Sequence, residues 1–198
     1  QKMEEKNFFT AKNVTILGVL TAIIVVLQIF GSYFRIGTIS LSFVLVPIVI
    51  GGILTGVIGG TILGFIFGVI TLVMGIVGAD QFTFILFSDH PFLTILTCVI
   101  KGSAAGFMSG FVYKLLKDKN LTLSTFAASA VAPIVNTGLF IVGAFCMADT
   151  LNSNFVAENS NVVYFIFIGC AGINFLIELA INLVLAPSVC KIIKAVKR

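Results

Sequence analysis

Six long apolar runs, close-set along 198 residues, constrain this chain more than anything else in it. They cover residues 14–30, 39–54, 57–77, 92–115, 123–147 and 162–189. Each is near the roughly 20 residues needed to cross a hydrocarbon slab of about 30 Å as a helix. The runs are continuous rather than alternating, which argues for helices and against a membrane β-barrel. Only 10% of the residues are charged, against 59% hydrophobic. Soluble chains average about a quarter charged. The expected fold is therefore an all-α, polytopic membrane protein, with six transmembrane helices forming one integral domain over 1–198. No cleavable signal peptide is expected, because the first run is too long and more spans follow it.

Run two is short, and Pro47, Gly51 and Gly52 interrupt it. It reads as kinked or partly spanning, and it joins run three in a tight hairpin at Thr55 and Gly56. The charges then give an orientation. Lys2, Lys6 and Lys12 precede run one; Lys114, Lys117 and Lys119 lie between runs four and five; Lys191, Lys194, Lys197 and Arg198 follow run six. The positive-inside rule makes these ends cytoplasmic, both termini included, in a cell membrane. The opposite loops carry Asp80, Asp89, Asp149 and Glu158, with Arg35 as their one basic residue. Loop 78–91 mixes aromatics with acids and reads as dipping back into the membrane. Loop 148–161 is the longest polar stretch and reads as an outer flap.

Polar residues inside the spans are the candidates for chemistry. Glu178 lies in run six with Asn174 four residues before it and Asn182 four after. At 3.6 residues per turn the three share one helix face. A carboxyl at membrane depth is costly unless paired or hydrated, so this stripe faces a protein interior or a cavity. It serves a substrate or ion, or it glues helices together. Lys101, in run four, needs an anion, carbonyl or water at its depth. Its readings are a counter-charge for a ligand acid, an ion pair with Glu178, or snorkelling outward. Asn136 follows Pro133 in run five, where the lost backbone donor permits a kink. It lines a cavity or bonds a neighbouring helix. Arg35, near Ser40 and Ser42, marks either an outer polar rim for an anionic ligand or interfacial anchoring with Tyr33.

Small residues at spacing four allow close helix approach. They occur at Gly102, Gly106 and Gly110, at Gly56, Gly60, Gly64 and Gly68, and at Gly18 with Ala22. Such faces dock within the bundle or onto another protein. His90 is the sole histidine and stands beside Asp89 in an outer loop, where it reads as solvated. Cys98, Cys146, Cys170 and Cys190 stand singly, with no metal-ligand or disulfide spacing. There is no phosphate-binding GxxxxGK[ST] loop, and no GxSxG, HExxH or CxxC. No cofactor is expected, and no enzyme activity. Glu178 with His90 would be the one acid–base pair for an intramembrane enzyme, and these two lie at different depths.

The order of several segments resembles one family closely. These are Gly18 with Ala22, PIVIGGILTGVIGGTILGFIFG, LTCVIKGSAAGFMSGFVYKLL, APIVNTGLF and NFLIELAIN. Together they resemble the substrate-binding S components of energy-coupling factor transporters, the vitamin importers of prokaryotes, over nearly the whole chain. The resemblance implies a six-helix bundle that binds one vitamin or precursor near its outer face. It implies partners: a transmembrane coupling subunit, contacted here by Gly18 and Ala22, and two cytoplasmic ATPases. Gly18 stands where the family more usually has Ala. The wording is most similar to the pantothenate subgroup. That would pair Lys101 with a carboxylate and give hydroxyls and amides to Asn136, Asn174, Glu178 and Asn182. The competing expectation is a structural membrane protein of the cell-shape, rod-complex type, with no small ligand.

Overall fold

The computed structural model describes residues 10–31, 35–36, 39–40, 43–156 and 160–196, with the backbone alone for 35–36 and 39–40. The chain is helical almost throughout. Helix α1 spans Ala11–Gly31, α2 Leu45–Leu54, α3 Gly56–Ile76, α4 Gln81–Asp89, α5 Pro91–Leu116, α6 Leu121–Cys146 and α7 Ala148–Phe155. Helix α8, Val162–Tyr164, runs without a break through π-helical turns at Phe165–Gly172 into α9, Ile173–Val196. Two-residue strands β1, Arg35–Ile36, and β2, Ile39–Ser40, pair antiparallel between α1 and α2.

Five helical stretches are long and apolar enough to cross a membrane, and α2 is a shorter apolar sixth. The run expected at 39–54 is thus corrected at its start. Ile39 and Ser40 extend as a strand, and the helix begins at Leu45. Ten residues of helix rise about 15 Å, half the depth of a bilayer core. Seven of those ten residues are buried, so α2 is a core element surrounded by longer helices. Gly56 has φ +84°, which lets α3 start immediately after α2 ends. The two expected loops contain helices as well. Residues 78–91 fold into α4, which buries Phe82, Thr83 and Leu86, and residues 148–155 into α7, which buries Thr150 and Leu151.

The glycine ridges of α3 and α5 face each other. A Cβ added at Gly60 would collide with the Gly106 backbone, at Gly64 with Gly102, and at Gly68 with Cys98 and Val99. Gly52 of α2 closes on Gly110 in the same way, 3.2 Å from its nitrogen to the added Cβ. Three backbones therefore meet where no side chain intervenes, as small-residue ridges permit. Around this seam, Leu20, Ile24, Leu45, Ile48, Leu63 and Phe67 form one apolar cluster. A second cluster joins α2, α6 and α9 through Ile53, Ala128, Ala132, Val189 and Ile193. A third, with Phe82, Leu86, Met147, Leu151 and Ile166, ties α4 and α7 to the bundle. Helix ends are held locally. Asn120 accepts from the N–H groups of Thr122 at 2.8 Å and Leu123 at 3.4 Å. Lys12 donates to the carbonyl of Val196 at 3.0 Å, so the first and last helices have their chain termini at one end of the bundle. The β1–β2 pair, α4 and α7 lie at the other.

Candidate functional site

Toward the end capped by α4, the helices leave a cavity of about 80 Å³. Its walls come from α1, α3, α4, α5, α6 and the last helix, so only the assembled bundle creates it. Four of the six residues expected at a substrate site line it together: Lys101, Asn136, Asn174 and Glu178.

Glu178 is 1% exposed, in the second turn of α9. Its Oε1 accepts from Asn174 Nδ2 at 3.3 Å, the i, i+4 pairing expected from their spacing. The Asn136 side chain, from α6, also reaches the Glu178 carboxyl. Yet Glu178 Oε2, Asn136 Oδ1 and Asn174 Oδ1 are buried without a hydrogen-bond partner. Buried polar atoms are almost always paired, so three orphans around one cavity need a reason. Leaving each one unpaired costs about 1–3 kcal/mol.

Lys101 enters from α5 with its ammonium 5.3 Å from the Phe140 ring centre and 6.0 Å from that of Phe67. Among the described residues it makes no ion pair. Its charge acts on Glu178 across the cavity without direct contact. The rings supply partial compensation through their electron-rich faces. An ion pair with Glu178 was one reading of Lys101. The geometry instead leaves the Lys101 ammonium and the Glu178 carboxyl apart, both bordering one shared space.

The model of the ECF transporter substrate-specific component family matches residues 12–190. The chain belongs to that family. No curated protein matches it. This S component is thus the substrate-specific membrane subunit of an ECF transporter, taking a small-molecule substrate into a complex in the bilayer. Nothing in the match supports the rod-complex alternative.

The remaining expected residues lie elsewhere. Asn182 is buried, but its Nδ2 donates to the backbone carbonyl of Glu178 at 2.8 Å, and it does not border the cavity. Arg35 belongs to β1, and its side chain lies outside the described residues, as do those of Ser40, Ser42 and Tyr33. Gly18 and Ala22 are exposed on α1, with nothing within 4 Å of a Cβ added at Gly18.

Several cavity residues of the S component escaped the sequence reading. Gln28 of α1 donates to Thr71 Oγ1 at 3.4 Å, and Thr71 in turn donates to the Phe67 carbonyl at 3.0 Å. The signal for Gln28 was present, since it is the sole amide in an otherwise apolar run. Asp80 and Thr83 reach the cavity from the α4 end, where the Thr83 hydroxyl donates to the Asp80 carboxylate. By sequence Asp80 reads simply as a loop acid. Above them, Phe82 stacks obliquely on Phe155 of α7 at 5.1 Å. His90 Nε2 lies 3.1 Å from both carboxylate oxygens of Asp149, joining the α4–α5 corner to α7. The Asp149 carboxyl is held below its ordinary range, first by the N–H of Thr150 and then by His90.

Proposed function

We propose that this S component captures a vitamin or vitamin precursor from outside the cell, with pantothenate as the first candidate. It passes the solute on through a separate transmembrane coupling subunit driven by two ATPases. The observation that carries the ligand reading is the cavity itself: one ammonium, Lys101, facing one carboxylate and two amides whose oxygens lack donors. Pantothenate has a carboxylate for Lys101, and two hydroxyls and an amide N–H for the three open acceptors. Arg35, near the same end of the bundle in sequence order, would attract the acid as it approaches.

The basic chain ends favour a cytoplasmic location for both termini. That orientation would put the cavity in the outer half of the membrane, with α4 and α7 as its cover. Gly18 and Ala22 are exposed on α1 and available to the coupling subunit. This chain has no phosphate-binding loop of its own, in keeping with energy supplied by partners.

Equilibrium binding of pantothenate to the detergent-purified protein, with Lys101→Ala as the comparison, tests the reading. Removing one partner of a buried charged contact costs about 2–5 kcal/mol, or roughly 30-fold to several thousandfold in Kd. Unchanged affinity in Lys101→Ala would sink the assignment of that side chain. Absence of pantothenate binding, with saturable binding of another solute, would replace the candidate and keep the site.

A further inference from the structure

The orphaned atoms around the cavity are all oxygens. Asn174 presents its Nδ2 to Glu178 Oε1, and the Asn136 side chain also turns to that carboxyl. An amide that spends its N–H on Glu178 must direct its oxygen elsewhere, because the two ends of the group point apart. Both amide oxygens are buried without a donor, and so is Glu178 Oε2. The two amide oxygens are acceptors whatever the state of the carboxyl, and an ionised Glu178 adds to them. The third nearby amide, Asn182, is already engaged with the helix backbone and cannot supply the missing donors. Lys101 is the one cation lining the cavity among the described residues, and aromatic faces flank its ammonium.

We infer that Glu178 is a positioning residue that sets the hydrogen-bond polarity of this cavity. By holding an N–H of Asn174 and lying beside the Asn136 side chain, it leaves their oxygens as a cluster of open acceptors. The site then selects small acids bearing several O–H or N–H donors, and it rejects acids of similar length that lack them. This rests on the cavity being the substrate site. Discrimination arises from burial: an acid without donors displaces water yet leaves the acceptors unpaired. Sites built to hydrogen-bond a substrate group reject analogues lacking it by factors of up to about 10⁴–10⁵. The acid group itself distinguishes little, because Lys101 meets any carboxylate alike.

The test is a competition series on the full-length protein in detergent, read by calorimetry and by thermal midpoint. The probes are pantothenate, which carries three donors and a carboxylate; lipoate and octanoate, which are acids without other donors; and nicotinate, a short acid whose ring nitrogen accepts. The expected result is binding of pantothenate at least about 100-fold tighter than lipoate, octanoate or nicotinate. In Glu178→Gln the new amide donates to an open oxygen and releases an Asn N–H. The pantothenate-to-lipoate ratio should then fall at least tenfold, through weaker pantothenate binding. Asn174→Ala removes one acceptor at a half-buried position and gives the same selective fall, should Glu178→Gln not fold. Saturable binding of lipoate, octanoate or nicotinate as tight as that of pantothenate overturns the inference and leaves the substrate site standing. Equal weakening of pantothenate and lipoate in both variants overturns it too, since that is the mark of general damage. If no probe and no other vitamin binds, the substrate-site reading fails and the inference with it.

Discussion

Gly60→Ala should destabilise this protein by about 2 kcal/mol, although it adds a single methyl group. At Gly60 the methyl would lie 2.9 Å from the Cα of Gly52 in α2, and nearer still to the Gly106 carbonyl in α5. Carbon contacts are comfortable at about 3.5–4.0 Å, so relief needs a shift of roughly 0.6–1 Å. Neither neighbour can rotate away, because both are backbone. If α5 retreats, the contacts at Gly64 with Gly102 and at Gly68 with Cys98 open as well. Overpacking of this kind costs about 1–3 kcal/mol, and two backbone collisions put Gly60 near the upper end. Alanine's better helix propensity returns up to about 1 kcal/mol, leaving a net loss of about 2. For a chain of this size that lowers the thermal midpoint by about 4–8 °C. Gly18→Ala is the control, since open space surrounds a methyl there. It should leave the midpoint unchanged or raise it slightly. Circular dichroism melts in detergent measure both. Equal midpoints for Gly60→Ala and Gly18→Ala would refute the claim that α3 and α5 need backbone contact.

Gly18→Trp should keep the melting temperature and ligand affinity of the wild type, yet prevent co-purification with the coupling subunit; intact assembly would free α1 from the docking role. Asn120→Ala removes an acceptor from two N–H groups at the start of α6 and should cost about 1 kcal/mol in a thermal or denaturant titration. The lowered pKa of Asp149 gives a pH signature. A carboxylate favoured in the folded state adds stability above its ordinary value of 3.8, and that stability fades as pH falls through the lower folded value. The gap in midpoint between wild type and Asp149→Asn should therefore hold from neutral pH down to about pH 4 and close below it. A gap that persisted unchanged well below about pH 3 would contradict the Thr150 and His90 contacts.

How far the sequence reached is clearest in residues that look alike in it. Glu178 and Asn174 stand four apart in an apolar run, and periodicity alone put them on one face, where they do bond. Asn182 shares that spacing but turns back to its own helix. Backbone competition of this kind is local geometry that a helical wheel does not contain. Length and apolar content likewise fixed the helices of runs one and three to six. They marked run two as short and partly spanning, as it is, but set its start too early, since Ile39 and Ser40 extend as a strand before α2. Segments 81–89 and 148–155 are too short for a spanning pattern, yet they gain helical order by packing Phe82, Leu86 and Leu151 into one cluster.

The glycine spacings mark the boundary most sharply. Gly18 with Ala22 and the series from Gly60 to Gly68 follow one rule in the sequence. In the folded chain the second is sealed against α5, and Gly18 faces open space. Spacing along a helix determines which residues share a face, because 3.6 residues make a turn. It carries nothing about which neighbour, if any, meets that face. The sequence by itself therefore determined a helical membrane bundle with buried polar residues. Only tertiary packing brought Gln28, Asp80, Lys101, Asn136 and Glu178 from separate helices and turns to one cavity, since contacts between distant segments are decided by how whole helices fit together.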